Sequence, residues 1–259
     1  MEISYKEKLK KIFGSAYVET NKNHNQVLDV YEKYCDIKKC KLPVLVNYDT
    51  HIDAHIDTKL GSPNIAQWVN FCFPRFGVTE YYWLLPNYFK GIKRGLVNKD
   101  EYSIECTVRH FTEYSMLSNV ITNEMIYRKS FDDINKKNRK YGLKEFIPEE
   151  ENFIPITIYI VPFNEISVLK DKEIVLSVDA DAFCNTGYDT KCFYNNVNIT
   201  KTELKTEFNI FVDALYENNI KVKLATLTRS PGYFPDKYEI ELTEFYEDIK
   251  HSAQIFKVV

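Results

Sequence analysis

The sequence predicts an α/β fold built on a mainly parallel sheet, and three observations carry that prediction. Runs of strand character recur at Pro43–Val46, Thr79–Leu85, Ile154–Val161 and Glu173–Val178, and Lys221–Thr226 alternates as a strand does. Segments with helical spacing fall between them, which is the alternation expected of crossover connections. Two of the runs, those ending at Val46 and Val178, lead into acidic residues. In a parallel sheet such strand ends share one edge, where ligands bind.

Taken in order, residues 1–13 place Ile3, Leu9, Ile12 and Phe13 among lysines, the pattern of a short helix or an edge element. Tyr17-Val18 reads as extended and residues 21–25 as a polar turn. Helical spacing begins at Gln26 with Val27, Leu28, Tyr31 and Tyr34, and an asparagine just ahead can cap it. After the strand at Pro43–Val46 comes the turn composition Gly61-Ser62-Pro63-Asn64, then helical spacing from Ile65 to Phe73. Pro86 closes the strand at Thr79–Leu85. Residues 90–150 are the most irregular third, with an extended stretch at Tyr102–Val108 and a charged run from Arg128 to Lys144 that suits a solvated face. Glu203–Glu217 puts Leu204, Phe208, Phe211, Val212 and Leu215 on one helical face. Tyr238–Val259 reads as a closing helix with a strand or arm behind it. With no repeat, Pro/Gly-rich linker or low-complexity tract, residues 1–259 are expected to form one domain.

Composition is ordinary for a globular chain: 259 residues, 44% hydrophobic and 27% charged. A net charge of −3 without a long basic block argues against nucleic acid as a partner. No apolar run reaches membrane-spanning length and no signal-type h-region opens the chain, so no membrane is expected. Six cysteines without a CxxC pair suit free thiols in a reducing cytoplasm. A homo-oligomer is compatible with this composition. Trp68, Trp83 and the Tyr81-Tyr82 pair are assigned to the core rather than to a peptide groove.

Asp49, His51, Asp53, His55 and Asp57 fall on every second residue after the strand at Pro43–Val46. On an extended backbone they would share a face. Carboxylates crowded in that way repel one another and call for raised pKa values or a cation. Asp179 and Asp181 repeat the pattern after Val178. Together, Asp49-Thr-His51-Ile-Asp53 and Ser177-Val-Asp179-Ala-Asp181 resemble the paired motifs of the arginase/deacetylase superfamily, whose members have a three-layer α/β/α fold. Asn23-His24-Asn25 is similar to the DHN element of one subgroup, with asparagine in place of its first aspartate, and Arg229-Ser230-Pro231 is similar to the RSP element of that subgroup. These motifs span roughly residues 17 to 235.

The subgroup includes peptide arginases, which convert arginine side chains of ribosomally made precursor peptides to ornithine and release urea. The resemblance therefore implies two metal ions, with His24, Asp49, Asp53 and Asp179 on one and Asp49, His51, Asp179 and Asp181 on the other. An oxygen-rich donor set with two imidazoles suits two Mn²⁺ ions. A water made acidic by such a pair would attack the guanidinium carbon. Asp53 would carry the proton to the departing amine. Ser62 and Asn64 fall where arginases hold the substrate backbone.

Two positions depart from hydrolases of free arginine. The place of their proton-shuttle histidine falls on Ala66, with His55 as the substitute at hand. Arg229 lies near where the acid that binds the guanidinium is expected, leaving Asp189, Glu165 and Asp57 as candidates for it. His55 is also open to a role beside the metal ligands or as a loop histidine, and Ser62 and Asn64 to a simple turn. His110 and His251 show no partner pattern, and Cys184 reads as a packing residue. Alternatives to the peptide arginase are a small-molecule ureohydrolase or a deacetylase on the same scaffold, and an inactive metal-containing peptide-binding module.

Overall fold

A computed structural model describes residues 3–38, 41–42, 44–51, 53, 68–86, 103–107, 155–185 and 199–253. The strands are β1 (Tyr17–Asn21), β2 (Val44–Tyr48), β3 (Glu80–Leu85), β4 (Ser103–Thr107), β5 (Pro155–Pro162), β6 (Glu173–Asp179) and β7 (Lys221–Thr228). They form one sheet in the order β1-β7-β6-β2-β3-β5-β4. All neighbours are parallel except β4, which runs antiparallel to β5 and makes the sheet mixed at that edge.

The helices are α1 (Tyr5–Phe13), α2 (Val27–Lys38), α3 (Trp68–Phe76), α4 (Lys201–Glu217) and α5 (Glu239–Ser252). They cover both faces of the sheet, giving the expected three layers. One core contains Leu9 and Phe13 of α1, Phe208 and Phe211 of α4, and Leu242 and Phe245 of α5, against Val46, Tyr48, Leu176 and Val178 of the sheet. The other packs Tyr31 of α2 and Trp68 and Phe73 of α3 against Leu45, Tyr81, Val175 and Leu224. Alternation along a strand explains the division, since Leu45 and Val46 face opposite sides. Strands buried on both faces are continuous apolar runs, which is why they stood out in the sequence.

Local signals set the helix limits. α4 begins at Lys201, two residues before the expected start, because Thr200 and Glu203 form a capping box: Glu203 N donates to Thr200 Oγ1 at 3.2 Å and Thr200 N to Glu203 Oε2 at 2.6 Å. Ser4 and Glu7 do the same for α1. The helix expected from Gln26 is preceded by a 3-10 turn over His24–Gln26, so His24 opens the helical segment instead of lying in the turn before it. Gln26 Oε1 secures that turn by accepting from the backbone N–H groups of Lys22 and Asn23. The expected residues 65–67 of α3, the run Arg128–Lys144 and the tail beyond Ala253 lie outside the described residues. Among the described residues no helix is long and apolar enough to cross a membrane, and Cys35, Cys72 and Cys184 are free thiols.

The aromatic centre of the first core is Tyr48, whose ring stacks on Phe211 at 4.7 Å and meets Phe183 at 5.3 Å. Tyr48 immediately precedes Asp49, so this packing anchors the strand end that carries the acidic cluster. Phe211→Ala should destabilise the fold by about 3–5 kcal/mol, the usual range for an aromatic truncated in a dense core. Thr200→Ala, on the surface, should lose about 1 kcal/mol. Urea unfolding followed by circular dichroism measures both.

Candidate metal centre

β1, β2 and β6 deliver their carboxyl ends to one edge of the sheet, and the six expected metal ligands meet there. His24 follows β1, Asp49, His51 and Asp53 follow β2, and Asp179 and Asp181 close β6. The ligands do not converge by period-two alternation on an extended backbone, as their sequence spacing suggested. β2 ends at Tyr48 and the chain turns at once. His51 N donates to Asp49 Oδ1 at 2.7 Å, an Asx-type turn. Asp53 has a left-handed backbone at φ 50°. Likewise Asp179 caps a 3-10 turn over Ala180–Ala182, its carboxylate accepting from Asp181 N. Each aspartate binds the backbone two residues on, and the resulting turns fold the acids inward.

His24 Nδ1 faces three carboxylates: Asp53 Oδ2 at 2.7 Å, Asp179 Oδ2 at 3.0 Å and Asp49 Oδ2 at 3.2 Å. Its Nε2 shares a hydrogen bond with Ser177 Oγ at 2.9 Å, which fixes the ring with Nδ1 toward the acids. His51 Nδ1 lies 3.1 Å from Asp181 Oδ2 and 3.5 Å from Asp49 Oδ1. Asp49 therefore turns one oxygen to each histidine. Two groups of ligand atoms result, His24-Asp49-Asp179 and Asp49-His51-Asp181, and in each the atoms lie within 4.8 Å of one another. Asp53 joins the first group through His24.

The four aspartates are between 0 and 5% exposed. Burying four carboxylates against two imidazoles leaves a negative excess that must be neutralised. In the metal-free fold protons do this. Burial, reinforced by the charge of Asp49, pushes Asp53 up to about 8. Burial, together with Asp179 and Asp49, pushes Asp181 up to about 7. Burial alone would lower both histidines, but the facing aspartates outweigh it and raise them well above their ordinary value. Burial would also raise Asp49, yet the hydrogen bonds from His24 and His51 prevail and its pKa falls. An oxygen-rich, two-imidazole donor set with negative excess fits a pair of hard divalent cations better than thiolate-seeking ones.

A supporting layer went unseen in the sequence. Asn47 pairs with Ser177, and Ser177 with Thr226, in one register row across β2, β6 and β7. All three are buried polar residues on the α2/α3 side of the sheet. Asn47 Nδ2 donates to Asp49 Oδ2 at 3.1 Å, and Trp83, in the same row on β3, donates from Nε1 to the main-chain oxygen of Asp49 at 3.0 Å. Thr50 Oγ1 donates to Asp181 Oδ2 at 2.8 Å, and Asn185 Nδ2 reaches both groups. Trp68 Nε1 donates to Asp53 Oδ2 at 2.6 Å. The available signal was polar residues at strand positions that should face a core, Asn47, Ser177 and Thr226. Trp68 carried no such signal, because its spacing is that of a core residue.

His55, Asp57, Ser62, Asn64, Ala66 and Asp189, with His110, lie outside the described residues. Glu165 sits half-buried in the 3-10 segment Phe163–Leu169 after β5. His251 is exposed on α5, and Cys184 packs in the first core, where burial pushes its thiol up to about 11. Arg229 pairs with Glu239 and donates to Thr243 Oγ1 at 3.1 Å. It lines a pocket of about 550 Å³ at the same sheet edge, with Asn21, Lys22, Asp236, Glu239 and Lys250 among its walls. Tyr233 packs its ring on His51 at 5.4 Å while its neighbour Phe234 lines the pocket.

No family model and no curated protein matches the chain. Among solved structures it is similar to a candidate agmatinase from Clostridium difficile, at 12% identity, TM-score 0.41, and 92% of this chain on 65% of that one. It is likewise similar to proclavaminate amidino hydrolase from Streptomyces clavuligerus, at 13% identity, TM-score 0.38, and 92% on 63%. An arginase-like protein from T. brucei, as a double mutant, gives 10% identity, TM-score 0.40, and 93% on 61%. The chain thus spans less than two thirds of each of these structures.

Metal binding must displace the extra protons, so apparent Mn²⁺ affinity should climb steeply from roughly pH 6 to 8. Calorimetry in buffers of different ionisation heat should show the protons released. Asp53, Asp181, His24 and His51 all have raised pKa values, so the folded metal-free chain holds more protons than the unfolded one. Its stability should therefore be greatest on the acid side and decline as pH rises through about 7–8. Asp49 acts oppositely, with stability lost only as pH falls well into the acid range. Saturating Mn²⁺ should abolish the decline at neutral pH, as thermal unfolding across the pH range would show.

Proposed function

We propose that this chain is a dinuclear manganese hydrolase that converts arginine side chains of a ribosomally synthesised precursor peptide to ornithine and urea. The observation that carries the metal part is the shared position of Asp49, whose two oxygens face two histidines within one buried acidic cluster. A carboxylate shared by two ligand groups would suit a pair of ions. The arginine part rests on the motif resemblance.

His24, Asp49, Asp53 and Asp179 would hold one ion, and Asp49, His51, Asp179 and Asp181 the other. When bound, the pair supplies Lewis acidity and lowers the pKa of water, so that a nucleophile is at hand at neutral pH. The chain's own groups do the rest. Ser177 and Asn47 hold His24 and Asp49 in orientation. In the reaction a water oxygen becomes bonded to the guanidinium carbon and the bond from that carbon to the side-chain nitrogen breaks. Asp53 takes up a proton from the attacking water and passes it to that nitrogen, which leaves as the amine of ornithine with urea as the second product.

The peptide substrate rests on the motif resemblance, and a pocket lined by Arg229, Asp236, Glu239 and Lys250 lies at the same sheet edge. Arg229 does not contradict a cationic substrate, because its guanidinium is neutralised by Glu239. Six cysteines without a CxxC pair are the basis on which a cytoplasmic setting with reduced thiols is proposed.

Mn²⁺-loaded protein incubated with arginine-containing peptides should release one urea per modified arginine, with the matching conversion to ornithine seen by mass spectrometry. Asp179→Ala and His51→Ala should each reduce turnover by several orders of magnitude. Turnover of free arginine or agmatine alone would move the assignment to a small-molecule ureohydrolase. One ion per chain would favour a deacetylase, and two ions with peptide binding but no urea an inactive binding module. Full activity in both variants would overturn the metal mechanism.

A further inference from the structure

Asp53 is attached twice to the first turn of α3. Its main-chain oxygen accepts from Val69 N at 3.2 Å, and its carboxylate Oδ2 accepts from Trp68 Nε1 at 2.6 Å. Trp68 has no room to swing away. Its side chain is fully buried, with its ring 5.2 Å from that of His24 and edge-on to Tyr31 at 6.0 Å. The same Oδ2 lies 2.7 Å from His24 Nδ1, whereas Oδ1 makes no hydrogen bond among the described residues. The indole N–H is a donor only and can neither take up a proton nor bind a cation.

We propose that Trp68 is a positioning residue that assigns different work to the two oxygens of Asp53. The indole holds Oδ2 as an acceptor beside His24 Nδ1, on the ion position those two residues share. Oδ1, which makes no hydrogen bond among the described residues, is thereby left for the departing nitrogen. The Oδ1 half of this assignment rests on the proposed hydrolase function, and the Oδ2 half rests on the metal centre alone. Phenylalanine at position 68 would keep the ring and its packing but lose the N–H, freeing the carboxylate to rotate. Partners of this kind shift metal affinity by roughly 10–100-fold.

Trp68→Phe is tested by Mn²⁺ titration calorimetry, with circular dichroism and Tm confirming the fold. One of the two ions should bind roughly 10–100-fold more weakly. Phe245→Leu is the control, since Phe245 lies in the other core, stacked on Phe208 at 4.2 Å, without touching the acids. It should lower Tm and leave both Mn²⁺ affinities unchanged. A Trp68→Phe protein that folds and binds both ions like wild type overturns the proposal. Should Trp68→Phe fail to fold, Trp83→Phe keeps the test open, because Trp68 is then the chain's sole tryptophan. Its emission should change with the first equivalents of Mn²⁺, and an unchanged spectrum at saturation overturns the proposal. In active enzyme, Trp68→Phe should lower kcat while the KM for peptide stays within about twofold, the mark of a group acting after substrate binding. If wild type yields no urea, the function fails while the metal measurements still decide the role of Trp68.

Discussion

Four carboxylates buried within reach of two imidazoles are the constraint on which the rest of this structure depends. Like charges held this closely out of water are unfavourable unless protons or cations intervene. A parallel sheet makes the concentration feasible. β6 and β2 are neighbours running the same way, so Asp179 and the segment from Asp49 emerge side by side although some 130 positions separate them in sequence. β7 separates β1 from β6, and the 3-10 turn after β1 brings His24 back over the cluster. The two cores on either side of the sheet hold these ends in place, above all through Tyr48 and its ring contacts with Phe183 and Phe211.

The site also governs residues that would otherwise be apolar. Asn47, Ser177 and Thr226 occupy a row on the inner face of the sheet, where Val or Leu would bury more apolar surface. Asn47 and Ser177 instead serve the ligands, binding Asp49 and His24. A buried polar group is tolerated when it has partners and when those partners need orienting. Here the expense of polar atoms in the core secures which face each ligand presents. Trp83, in the same row, adds a donor to the main chain of Asp49, so even the backbone at the bridging residue is held.

Much of this was legible in the sequence, for physical reasons that differ by element. Strands β2, β3, β5 and β6 announced themselves because burial on both faces demands near-continuous apolar runs, and β7 by the alternation at Lys221–Thr226. The six ligands announced themselves by type and position after those runs. The reason for their convergence did not, because period two belongs to an extended chain and β2 stops at Tyr48. A turn closed by an aspartate on the backbone two residues on has the same spacing as a strand face, so Asp49-Thr-His51 is ambiguous on paper and unambiguous in space. The start of α4 was legible but passed over, since Thr200-x-x-Glu203 ahead of Leu204 has the spacing of a capping box. β4 was visible only as an extended stretch, and its antiparallel direction depends on a partner that no local pattern names.

Trp68 shows where a pattern-based account reaches its limit. Helical spacing of apolar residues assigned it to the core, and the core is where its ring lies. The same residue gives its one polar atom to Asp53, so packing and site chemistry are carried by opposite ends of a single side chain. The double attachment of Asp53 follows from the same geometry. Its left-handed backbone lets its carbonyl and its carboxylate both meet the first turn of α3, the carbonyl at Val69 and the carboxylate at Trp68. α3 is itself fixed by packing against α2, and α2 carries His24 at its leading turn. Position therefore passes from one helix pair to His24 and Asp53, two candidate ligands of the first ion position, at once. A change at the α2–α3 contact should disturb His24 and Asp53 together, while His51 and Asp181, held by Thr50 and Asn185, keep their places.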